Sequence, residues 1–184
     1  MTAKTVLDPQ RIIIEPLDPL KHDRADFFCG TARLDNFLKR TARKHQTGDF
    51  TRVWVATNHE HTAILGYYAL NAHSLSDDDL PADLTRNAPP HGSIPAIYLS
   101  MIAVDQRYQS QGLGHVLLWN ALSRSRAAAD QIGLKAVILD VIEDGGAEIT
   151  AKRRAFYERM GFQPMPSQPL RMFINIETIR NTKP

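Results

Sequence analysis

Short apolar runs alternate along this chain with longer segments whose apolar residues recur every three or four positions. Arg11–Asp18, RIIIEPLD, is rich in β-branched residues and predicts a strand stopped by Pro16. From Thr31 to Asp49 the spacing changes. Leu34, Phe37, Leu38 and Ala42 fall on one helical stripe, and Gly48 is a suitable stop. TRVWVATN puts Val53 and Val55 on one face and Trp54 on the other, the period of a strand; AILGYYALNAHSL predicts the next strand, with NHEH as the hairpin turn. Ser76–Pro95 is rich in Asp and Pro and reads as a loop. The pattern then becomes strand (IYLSMIAV), helix (GLGHVLLWNALSRSRAAADQIG), strand (KAVILDVI), helix (AKRRAFYERMG, with Gly161 as its C-cap) and a last strand, RMFINIETI. Strands alternating with helices predict an α/β sheet with helices packed on it. There is no repeat, low-complexity tract or linker, and residues 1–184 read as one domain.

One stretch stands out. Between the strand ending at Val104 and the helix after it lies QSQGLG, Gln109–Gly114, with two glycines one residue apart. Strand, glycine loop and helix start form an arrangement that holds anions. The first amides of a helix lack intrahelical acceptors and carry partial positive charge, so phosphate oxygens satisfy them. Gly112 and Gly114 remove Cβ atoms that would keep a phosphate from the backbone. By spacing alone, a tight turn needing positive φ accounts for the glycines equally well. The stretch is not a dinucleotide fingerprint, which has three glycines and an acid ending the next strand. Nor is it a Walker loop, because no Lys-Ser or Lys-Thr follows.

In its context, V-D-x-x-Y-Q-S-Q-G-L-G-x-x-L-L resembles the acetyl-CoA motif of the GNAT family of N-acetyltransferases. That motif has Gln or Arg, two residues, Gly, one residue, then Gly or Ala; Gln109, Gly112 and Gly114 occupy those positions. The resemblance runs from Ile12 to Ile179. It implies the GNAT fold, an α/β fold whose mixed central β-sheet is flanked by helices and contains a splayed pair of parallel strands, here Leu99–Val104 and Ala136–Val141. It also implies acetyl-CoA as donor. The loop residues Gln109, Ser110, Gln111, Gly112, Leu113, Gly114 and His115 would face its pyrophosphate, and Met101, Ile102, Ala103 and Val104 its pantetheine arm.

RRAFYERMGF carries a second family pattern, F-Y-x-x-x-G-F, and the resemblance makes Tyr157 the residue facing the CoA sulfur. A phenol with pKa near ~10 can protonate the thiolate that leaves when an amine attacks the thioester. On the residues alone, a core wall beside Phe156 and Met160 is the favoured reading of Tyr157. Arg154 is a candidate for a CoA phosphate, the plain alternative being a solvated helix face.

The first half carries a narrower resemblance. F-x-C-G, then L-D-x-F-L, then a basic helix with A-x-x-x-Q, then a strand beginning Arg-x-x-V, is similar to the GNAT branch found as toxins of type II toxin–antitoxin modules. Cys29, Gly30, Leu34, Asp35, Phe37, Leu38, Ala42, Gln46, Arg52 and Val55 are in register. This implies acetylation of the α-amino group of aminoacyl-tRNA, a homodimer and a small ribbon-helix-helix antitoxin as partner. Lys39, Arg40, Arg43 and Lys44 lie at helical spacings on one broad side and are the candidate tRNA contacts. Met101 stands where those toxins commonly carry arginine, and an EDGG loop, Glu143–Gly146, follows the later strand. A GNAT enzyme acting on a small-molecule or protein amine therefore stands as an alternative, as does a CoA-binding module without catalysis.

Composition changes little in this picture. The chain has 184 residues, 43% hydrophobic and 23% charged with net charge +2, an ordinary globular balance. No apolar run is long enough for a bilayer, the opening MTAKTVLDPQR has no apolar block, and the one cysteine, Cys29, sits among aromatics as a structural thiol; a cytoplasmic protein is expected. The seven histidines show no ligand spacing, so no metal is expected.

Overall fold

The computed structural model describes residue 7, residues 11–58, residue 60 and residues 62–182. Its strands are β1 (Ile13–Pro16), β2 (Arg52–Thr57), β3 (Ile64–Ser76), β4 (Ser93–Val104), β5 (Ala136–Asp140), β6 (Gln163–Pro164) and β7 (Arg171–Asn175). Its α-helices are α1 (Ala32–Asn36), α2 (Ala42–Thr47), α3 (Ala82–Thr85), α4 (Leu113–Ala129), α5 (Ala147–Arg159) and α6 (Ile176–Asn181). The strands follow one another in the sheet as β1-β2-β3-β4-β5-β7-β6. β4 and β5 are parallel; β1–β2, β2–β3, β5–β7 and β6–β7 are antiparallel. This is the mixed α/β sheet that the sequence predicts. The β4–β5 register is Ala96↔Ala136, Ile97↔Val137 and Tyr98↔Ile138, and β4 runs on to Val104.

The chain forms two compact units, Met1–Asn71 with Ser100–Ala121, and Ala72–Leu99 with Leu122–Pro184. In the first, Leu34, Phe37, Leu38 and Ala42 are all buried, as their stripe predicts, and so are Val53 and Val55. Tyr67 is the centre of this core. Phe37 stacks on its ring and Phe27 meets it edge-on, with centroids 6.0 and 5.5 Å away. Its hydroxyl donates to the Leu34 carbonyl at 2.8 Å, so a buried phenol is satisfied rather than stranded. In the second unit, Leu75, Leu80, Ile94, Ala96, Ile138, Met165 and Phe173 form one cluster. β5 is buried nearly throughout, which is why AVIL shows no alternation.

Several boundaries differ from the sequence reading. The basic helix is not one regular helix: Phe37–Thr41 is a π-helical turn joining α1 to α2. Such a turn leaves the apolar stripe readable while shifting the residues after it around the axis. Ser76–Pro95 is not all loop. It contains a 3₁₀ turn at Asp77–Asp79, α3 and the start of β4, which begins four residues before IYLSMIAV. α4 stops at Ala129, ahead of Asp130 and Gly133. α5 starts at Ala147 rather than Ala151, because Gly145 and Gly146 at φ +97° and +89° turn the chain just before it. Gly161, at φ +91°, follows the helix as the sequence predicts. The last predicted strand ends at Asn175. There its side chain accepts from the Glu177 amide and caps α6, and Ile176 and Ile179 are buried one helical turn apart. The NHEH turn falls partly outside the described residues, at His59 and His61.

Candidate active site

The glycine loop belongs to the first unit, and its shape is set by residues far away in sequence. β4 ends at Val104, and Asp105 starts a 3₁₀ turn over Gln106–Tyr108. The Asp105 carboxylate is 1% exposed yet satisfied four times, by the Phe28 amide (3.0 Å), the Arg107 amide (2.9 Å), Arg107 Nε (2.8 Å) and Arg107 Nη2 (2.9 Å). Burial alone would raise its pKa. The hydrogen bonds from Arg107 and Phe28, with the charge of Arg107, carry it below the usual carboxylate value instead. The Gln106 amide donates to the Phe28 carbonyl at 2.8 Å. Gln109 Nε2 then bridges the carbonyls of Cys29 (3.0 Å) and Val104 (2.9 Å). Thus the F-x-C-G stretch and the glycine motif, separate in sequence, form one structure. Gly30 is part of it: at φ +87° a Cβ would collide with the Gln106 side chain.

Past Gln109 the chain turns through Ser110 at φ +62° and Gly112 at φ +86° into α4. A Cβ at Gly112 would meet nothing within 4 Å, so this glycine serves backbone conformation beside open space. Helix hydrogen bonding begins with the His115 and Val116 amides, which both donate to the Gly112 carbonyl at 3.0 and 3.2 Å. The amides before them are those a helix start leaves for an outside acceptor. Open amides beside the empty space at Gly112 fit a pyrophosphate. Gln111 is tied by its side chain to the Leu7 amide (2.9 Å) and the Arg107 carbonyl (3.3 Å). Met101, Ile102 and Val104 are half-buried on β4, Ala103 is buried, and His115 is exposed.

Cys29 is buried and tethered. Its amide donates to Asp35 Oδ1 at 2.8 Å, its Sγ lies 3.7 Å from the Thr31 carbonyl, and burial pushes the thiol up to about 12. It is a structural thiol, as expected.

Tyr157 is half-buried on α5 in the second unit, its ring edge-on to Phe156 and Phe162 at 5.2 and 6.0 Å. Among the described residues its hydroxyl has no hydrogen-bond partner. Burial pushes the phenol up to about 12, with Arg153 pulling back, so it stays protonated at any working pH. Arg154 is paired with Glu158 at 2.8 Å, an exposed i,i+4 bridge of the kind worth well under ~1 kcal/mol. Arg153 fastens the EDGG loop, donating to the Ile142 and Asp144 carbonyls at 2.8 and 2.6 Å. Asp140 is no free base: Arg171 holds it with two bonds of 2.7 and 2.8 Å, and the Tyr98 hydroxyl donates to it at 2.9 Å.

Lys39, Arg40, Arg43 and Lys44 are gathered, as predicted, in one concavity of about 670 Å³. Arg24 and Phe50 line it too. The sequence reading missed both, since Arg24 lies in a turn before the helix and Phe50 after its stop. It also missed the bracing role of Asp105, although a strand followed by D-x-R is the signal of a capped turn. Among the described residues there is no group of three or more His, Cys, Asp or Glu side chains able to hold a metal. Nor is any described helix long and apolar enough to cross a membrane.

The mixed sheet with its parallel β4–β5 pair, flanked by helices, is the architecture of an acyl-transferring class of enzyme. The profile described as Acetyltransferase (GNAT) domain matches residues 49–164. The chain belongs to the GNAT family and is an acetyl-CoA-dependent N-acetyltransferase. It is 53% identical over 169 residues to "Probable toxin TacT" of Sinorhizobium fredii, covering 92% of this chain and 93% of that protein. It is 32% identical over 158 residues to the "tRNA-acetylating toxin" of Mycobacterium tuberculosis, covering 86% and 89%. The crystal structure of a tyrosine-to-phenylalanine mutant of KacT superposes with a TM-score of 0.83 at 23% identity, covering 94% of this chain and 99% of that one.

Proposed function

We propose that the chain acetylates the α-amino group of aminoacyl-tRNA and acts as the toxin of a toxin–antitoxin pair. The observation that carries this is the basic concavity: Arg24, Lys39, Arg40, Arg43 and Lys44 line it, and no described residue that lines it is acidic. The acids that flank the four basic residues of the helix are engaged elsewhere, Asp35 on the Cys29 amide and Asp49 on Arg52 at 2.6 Å. Both relatives named above support the toxin role, and the tRNA-acetylating toxin supports tRNA as the acceptor. By family resemblance the enzyme works in the cytoplasm as a homodimer neutralised by a ribbon-helix-helix antitoxin.

Acetyl-CoA supplies an acyl group on a thioester. The loop from Gln109 to His115 faces its pyrophosphate, with the amides ahead of His115 taking the negative charge, in a shape that Asp105 and Gln109 hold rigid. A β4 amide near Ile102 donates to the thioester carbonyl as charge gathers there. Tyr157 keeps a proton at Oη for the departing sulfur. The α-amine needs little help: near pKa ~8 it is roughly a tenth neutral at pH 7, whereas a lysine near ~10.4 is neutral in well under a thousandth. That suits a chain in which Asp105 and Asp140, the acids nearest in sequence to the parallel strands, are each occupied.

The test is transfer of radiolabelled acetyl from acetyl-CoA to charged tRNA, with uncharged tRNA and free amino acids as controls, together with growth on controlled expression. Label on charged tRNA, and growth arrest that Tyr157→Phe relieves, is the expected result. Label appearing on small amines alone overturns the acceptor.

A further inference from the structure

Phe50 is an unusual residue to find in a basic concavity. It is 72% exposed, although it belongs to a chain whose other phenylalanines include the buried Phe27, Phe37, Phe162 and Phe173. An exposed apolar side chain alone means little. This one, however, is held in place. Its amide donates to the His45 carbonyl at 2.9 Å, and its carbonyl accepts from Asn71 Nδ2 at 2.6 Å. Asn71 is itself fixed by Ser100 and Thr51 at 2.6 and 3.2 Å. The His45 ring meets the phenyl edge-on, with centroids 6.1 Å apart. The ring also lies on Gly48, where a Cβ would come within 3.0 Å of two ring carbons. Glycine at that position therefore lets the ring rest on the backbone. A flat aromatic, braced on one side and open on the other, stands among five cations none of which is in an ion pair among the described residues.

Cations alone fit any polyanion, duplex RNA included, because they read phosphates. An exposed ring among them fits something more specific. A base in a duplex is stacked on its neighbours and offers no face, whereas an unpaired base does, and every base has one. We infer that Phe50 is a stacking platform for an unpaired base of the RNA, with Arg24, Lys39, Arg40, Arg43 and Lys44 on the flanking phosphates. The inference rests on the aminoacyl-tRNA reading and adds that this face grips a single-stranded part of that substrate. Phe50 is a binding residue here and takes no part in the chemistry.

The experiment measures binding of aminoacyl-tRNA to the full chain by filter retention across a salt series, for wild type, Phe50→Ala, Phe50→Leu, Phe50→Trp and Lys39→Glu/Arg43→Glu. Blunt-ended duplex RNA serves as a second ligand. Stacking by one base predicts that Phe50→Ala weakens tRNA binding roughly 5- to 100-fold at every salt concentration, with the salt slope unchanged. Phe50→Leu keeps apolar bulk and should fall with alanine. Phe50→Trp should bind within roughly threefold of wild type. Duplex RNA should bind all Phe50 variants alike. The charge variant should lower both affinity and slope. If Phe50→Ala or Phe50→Leu binds tRNA like wild type, or if duplex binding falls equally, stacking is overturned, while a charge variant that still loses tRNA leaves the acceptor reading standing. If the charge variant also binds like wild type, the tRNA reading itself fails. Loss of binding to an acidic peptide, without loss of RNA binding, would make the ring a protein contact and overturn the inference.

Discussion

At the scale of single residues, the site depends on protons and dihedral angles. Tyr157 is raised from its ordinary value to about 12, so its proton is present throughout the range in which an α-amine loses its own. The expected profile of kcat/KM therefore rises through about pH 8 as the amine becomes neutral. It then stays level to beyond about pH 10, with no descending limb from this phenol. Tyr157→Phe should keep the rise and lose roughly 10²- to 10⁴-fold in rate. Stability follows a different course. Below pH 10 the phenol is neutral whether folded or unfolded, so its contribution is complete. Between about 10 and 12 the unfolded chain ionises first, and stability drops. Asp105 has the opposite sign: its pKa is lowered, so its contribution is present above the usual carboxylate range and is lost as acid protonates it. Asp105→Asn should cost about 1–3 kcal/mol by denaturant titration at neutral pH and flatten the acid limb. Gly112→Ala puts a side chain at φ +86°, with about 1–2 kcal/mol of strain, and fills the open space beside the loop. Acetyl-CoA affinity should fall more than stability does.

At the scale of elements, the segment from Ala32 to Thr47 carries both a core stripe and a charged face. Its π-helical turn sets how they are aligned. Removing Lys39 and Arg43 together should reduce the slope of log K against log salt for RNA binding by roughly 1.4 to 1.8. Circular dichroism should stay unchanged, because neither residue is buried. The stripe was plain in the sequence since Leu34, Phe37, Leu38 and Ala42 obey a helical period. The π turn was not, because one inserted residue hardly disturbs a pattern read over four positions. The same logic explains α6. Ile174, Ile176 and Ile179 look like a continuing strand until the capping geometry of Asn175 is known. The glycine turn into α4 was legible because it depends on local order: strand, Gly112 and helix start follow one another directly. The brace behind the motif was not, since Phe28 and Cys29 reach it across nearly 80 positions, at separations of 77 and 80.

At the scale of the whole molecule, ligand and fold are thermodynamically linked. Acetyl-CoA binds only the folded chain, so at a hundred times its Kd it should add about 2.7 kcal/mol of stability, read as a rise in melting temperature. The rise should shrink in Gly112→Ala and persist in Tyr157→Phe, which separates gripping the donor from using it.

The bonds from Phe28 and Cys29 to Asp105 and Gln109 also have a temporal meaning. A chain leaving the ribosome has already made F-x-C-G when some 80 residues of the gap remain to be synthesised, and closing such a loop costs on the order of 4 kcal/mol in chain entropy. The donor cradle is thus a late product of synthesis and of folding, formed by contacts distant in sequence. A chain that ends before the glycine motif has one half of the brace, F-x-C-G, and nothing for it to hold.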